Sequence, residues 1–104
     1  MEVKIKNNVN ELIMLLDEIT LCFYQQKKEE GYSKLDCVLS KLSDVMDEIV
    51  YIKDTNKEIP VDIIKLNKAL NLGLQALQEN DIVMFSDVMH FEFVEQLYEI
   101  QRFL

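Results

Sequence analysis

DIVMFSDVMHFEFVEQLYEIQRFL, residues 81–104, carries more apolar surface than one buried helix face requires. At about 100° per residue, Phe85, Met89, Phe93, Ile100 and Leu104 fall on one side, with Ile82 and Leu97 beside them. That stripe predicts a helix over 82–103 packed on a core. Met84, Phe91 and Tyr98 recur on nearly the opposite side, and Val94 falls on the same surface between them. A surface helix ordinarily carries charge there. The second stripe is therefore either covered by the protein's own neighbours or offered to another molecule.

Working outward, Asn80 suits a helix end and Asp81 a helix start, so the preceding helix, expected over 61–79, joins through a two- to three-residue turn. Its apolar face is Ile63, Leu66, Leu70, Leu74 and Leu77. Ala69, Gly73 and Ala76 lie on its flank, where Gly73 predicts the close approach of another helix. So short a connection predicts a helical hairpin. Asp54 to Glu58 is polar and leads to Pro60, the single proline, which predicts the longest loop and the most mobile one.

The first half repeats the pattern. Ile5, Val9, Leu12, Leu16, Ile19 and Phe23 form a heptad-like seam that predicts a helix over 4–29. Met14 and Leu21 lie nearly opposite that seam, a surplus like that of the last helix. Gly31 is read as a left-handed helix end, and Ser33 with Asp36 as a capping pair opening a helix over 34–53. Leu35, Leu39, Leu42, Val45, Met46 and Ile49 line its apolar face. Two hairpins joined by a longer loop predict an all-α fold, an antiparallel up-down-up-down four-helix bundle spanning residues 1–104 as one domain. In that arrangement the first and last helices are neighbours, and their surplus stripes join.

The chain has 19 acidic against 11 basic residues, net −8, with a single arginine, Arg102. That balance disfavours nucleic acid and anionic membrane surfaces as partners, and admits a basic protein partner. The longest apolar run, Leu12 to Leu16, is too short to span a bilayer, and the opening residues do not read as a secretory signal. The expected location is the cytoplasm, where Cys22 and Cys37 are expected to remain thiols.

Converging chemistry is scarce. Asp87-Val88-Met89-His90 has the spacing of the Glu-x-x-His unit of di-iron bundles, but those sites need two such units, and His90 is the single histidine. His90-Phe91-Glu92 begins like a zinc-deaminase signature without the cysteines that complete it. Adjacent carboxylates at Asp17-Glu18 and Asp47-Glu48 diverge from a helix rather than cooperate. No enzyme activity, cofactor or metal is expected. A small metal- or ligand-binding bundle using His90 and neighbouring carboxylates is the alternative.

The segment from Ala69 to Asp81, continuing through Phe85-Ser86-Asp87-Val88 and Glu92-Phe93, resembles uncharacterised small acidic helical proteins of clostridia-like bacteria. In being short, acidic and helical the chain is also similar in type to flagellar export chaperones, which cover amphipathic segments of flagellar subunits. These likenesses imply a non-enzymatic interaction protein and carry over no site residue. The residues themselves place partner binding at Met84, Phe91, Val94 and Tyr98, extended by Met14 and Leu21. The bound molecule would be a second copy, giving a homodimer, or an amphipathic helix of a partner.

Overall fold

The heptad seam produces α1, Glu2–Tyr24, whose Val9, Leu12, Leu16 and Ile19 are completely buried. Each such side chain contributes about 1.5–3 kcal/mol of transfer free energy. Three more elements follow as α2, Lys28–Thr55, α3, Ile63–Gln78, and α4, Ile82–Val88. A π-helical turn, Met89–Phe93, then joins α4 to α5, Val94–Phe103. The backbone stays right-handed helical through both junctions, so residues 82–103 form one unbroken last helix. Among the described residues the protein is thus all-helical, with four helices. This computed structural model describes residues 2–56 and 58–104; Met1 and Lys57, the latter within the expected loop from Asp54 to Glu58, lie outside the described residues.

The first connection differs from the expectation. α1 ends at Tyr24 and α2 begins at Lys28, so neither 4–29 nor 34–53 holds as a boundary. Gln26 takes the left-handed conformation, φ 61°, and Gly31 is buried inside α2 with no positive φ. Ser33 caps nothing; its hydroxyl donates to Glu30 O within the helix. Gly31 is needed for a different reason: a Cβ there would run into the Phe23 ring. Phe23 is itself boxed in by Tyr32 and Phe85 at ring separations of 5.4 and 5.8 Å. The glycine lets two helices approach; a glutamine makes the turn.

The second hairpin follows the expectation. Asn80 is left-handed at φ 59°, and Asp81 accepts from Met84 N at 3.0 Å, capping α4. Asp62 caps α3 in the same way, accepting from Lys65 N at 3.1 Å. Gly73 lies against the Met89 methyl, the close approach read from its position. Ile59 and Val61 are buried on either side of Pro60, and Lys53 Nζ donates to Ile59 O at 2.8 Å.

α1 packs along α2 and along the last helix, while α3 packs along the last helix. A polar ladder ties α2 to α1. Lys41 bridges Glu11 at 3.0 Å and donates to Asn8 at 2.9 Å, and Asn8 donates to Glu48 at 2.8 Å. Among the described residues no buried side-chain nitrogen or oxygen lacks a partner. No helix among them is long and apolar enough to cross a membrane.

Candidate interaction surface

Tyr24, at the end of α1, donates from its hydroxyl to Asp87 Oδ1 at 2.5 Å, and Gln101 donates to Asn10 at the other end of the pair. Fourteen residues forward along α1 are thus matched by fourteen back along the last helix. On that register Met14 lies level with Leu97, next to Tyr98, and Leu21 with His90, next to Phe91. Four of the six residues assigned to partner binding from the sequence are plainly on the surface: Met14 is 61% exposed, Leu21 55%, Met84 42% and Phe91 65%. Tyr98 is at the margin, at 36%.

Val94 departs from the expectation: it is 3% exposed and part of the core. The π turn is the cause. Its i→i+5 bonding, Val94 N–H to Met89 O, adds one residue to a turn, so everything beyond lags by about one helical position, ~100°. That rotation carries Val94 inward and swings Tyr98 towards α1, which splits Tyr98 from Met84 and Phe91. A wheel drawn at constant angle cannot reveal it.

The structure adds residues that the sequence reading missed. Tyr24, three positions after Leu21, stacks edge-on against His90 at 6.4 Å, and His90 stacks edge-on against Phe91 at 4.7 Å. A run of rings therefore leads from α1 across the π turn. Phe91 ends it, walling a shallow cleft with Lys65, Lys68 and Leu72 of α3. Burial and the neighbouring Asp87 carboxylate, which accepts its hydrogen bond and repels the phenolate, push the Tyr24 phenol up to about 12. Spacing from Leu21 was the one available signal for Tyr24. Ile64, at 82% exposed, and Val83 are further apolar side chains on the surface.

His90 is therefore held among aromatic rings. Asp87, its partner in the i, i+3 pattern, accepts from Tyr24, and among the described residues no three of His, Cys, Asp and Glu are grouped to hold a metal ion. Cys22 is a buried free thiol and Cys37 an exposed one.

Residues 3–103 match DUF8042, a domain of unknown function. The chain belongs to this family. No curated protein and no solved structure matches it. The match covers all of the helices described above except Glu2, so the exposed apolar residues of α1 and the last helix lie within the family domain.

Proposed function

We propose that this protein is a non-enzymatic interaction module of the cytoplasm, an antiparallel up-down-up-down bundle that binds another protein through the face shared by α1 and the last helix. The observation that carries the reading is the exposure of Met14, Leu21 and Phe91 on adjoining helices, joined by the Tyr24, His90 and Phe91 rings. Aromatic residues and methionine are the types enriched at interface centres. Asp17 and Glu18 flank the face on α1, and Glu92, Glu95 and Glu99 outnumber Lys65 and Lys68 in the cleft beside Phe91, so it favours an apolar segment flanked by lysine or arginine, and repels a second copy of the same face. The activity is chaperone-like in the sense that it covers an amphipathic segment. Homodimerisation and use of His90 with Asp87 to hold a small ligand are the competing readings.

A photoreactive phenylalanine analogue placed at Phe91, and separately at Leu21, tests this in the native cytoplasm. Both positions are expected to give the same discrete adduct, and the exposed Ile64 position on α3 none. A 24–25 kDa self-adduct, about twice the 12.3 kDa chain mass, would assign the face to homodimerisation instead. Equal labelling from Ile64 would overturn the reading.

A further inference from the structure

The last helix and α1 share the bulk of the core, and α2 and α3 each have apolar residues left over. Val38, Val45 and Ile49 of α2 are buried, and so are Leu66 and Ala69 of α3. Leu39 of α2 and Leu70 and Leu74 of α3 are only half-buried, and they face one another across an open seam. With Leu42 and Met46 they line a cleft of about 260 Å³. That is smaller than the about 300–1,000 Å³ of small-molecule pockets, and it is open along its length. It suits side chains presented at helical spacing, and Met46 supplies a floor that adapts to their shape.

Charge decides what those side chains belong to. Asp47 lines the seam, and Asp36 lies on the same edge of α2 about three helical turns away. The facing edge of α3 is neutral, with Asn67 and Asn71. A second copy would bring the same carboxylates and a net charge of −8 to the contact. We propose that the seam between α2 and α3 is a docking groove for an amphipathic helix of another protein, one with leucine-like residues on one face and lysine or arginine beside them. It is a separate site from the face of α1 and the last helix and does not depend on that assignment.

The test uses the full chain, labelled with nitrogen-15, and a synthetic leucine–lysine peptide patterned as an amphipathic helix, with a scrambled isomer of identical composition as control. Saturable amide shifts are expected at Leu39, Ser43, Met46, Leu70 and Leu74. Binding should weaken about tenfold in Asp47→Lys, a surface change that leaves the core untouched, and also in Leu74→Glu. No saturable shift, equal binding by the scrambled isomer, or shifts confined to Leu21, His90 and Phe91 would each overturn the groove. The last of these would at the same time support the face described above. A dimer whose contact maps to Leu39 and Leu74 would overturn it in favour of self-association.

Discussion

At Tyr24 a single hydrogen bond ties the end of α1 to the last helix, and its chemistry sets a pH window. The folded phenol is raised from 10.0 to about 12, by burial first and by Asp87 second. A group whose folded pKa is raised contributes stability that is fully present below its unfolded pKa and is lost as pH rises through the folded value. The denaturant midpoint is therefore expected to decline between about pH 10 and 12, and Tyr24→Phe to flatten that decline at a cost of about 0.5–1.5 kcal/mol at neutral pH. Superimposable pH profiles for the two proteins would show that the bond contributes nothing there. Tyr24 was illegible in the sequence because a tyrosine at a helix end pairs with whatever the tertiary fold delivers, here a carboxylate 63 residues away.

Between elements, the two glycines report how closely helices pass. An exposed helix interior gains about 1 kcal/mol from glycine to alanine, but neither site is exposed. At Gly31 the new methyl meets the ring of Phe23, which Tyr32 and Phe85 hold in place. At Gly73 it meets the terminal methyl of Met89, which has three rotatable bonds by which to move aside. Gly31→Ala is accordingly expected to destabilise by about 1–3 kcal/mol, and Gly73→Ala by clearly less, in urea unfolding. Equal losses would mean that Phe23 and Met89 yield alike. Gly73 was legible because a glycine deep in a helix weakens it, a cost that the close passage of another helix offsets. Gly31 was read as a helix end because a glycine following a polar run fits a left-handed turn equally well, and only the position of Phe23 separates the two roles.

Across the whole molecule, apolar faces compete with charge. The chain carries −8, and the exposed stripe of α1 and the last helix is flanked by Asp17 and Glu18 and, beside Phe91, by Glu92, Glu95 and Glu99, which outnumber Lys65 and Lys68. Like-charged surfaces repel over about 30 Å at 0.01 M salt and about 3 Å at 1 M. Light scattering is expected to give the 12.3 kDa monomer at low ionic strength, with any self-association appearing only as salt rises and vanishing in Leu21→Glu/Phe91→Glu. A dimer already complete at low salt would show that the apolar term outweighs the acidic one and that the surface pairs with itself.

Periodicity by itself determined that the chain is helical, that four helices form, and which side of α1 carries the core, because burying a stripe at 3.6-residue spacing needs no knowledge of what covers it. In α3 the core is instead carried by Leu66, Ala69, Gly73 and Ala76, while the rest of the expected leucine face is half-buried. Asp81 and Asn80 marked the second hairpin because capping is local chemistry. Tertiary structure alone decided where α1 stops, because Gly31 is set against Phe23 across the hairpin. It alone decided that Val94 is core, since a π turn between Met89 and Phe93 breaks the constant angle on which every helical wheel rests. The open seam between α2 and α3 was beyond the sequence for the same reason: a half-buried leucine and a fully buried one look alike until the neighbouring helix takes its place.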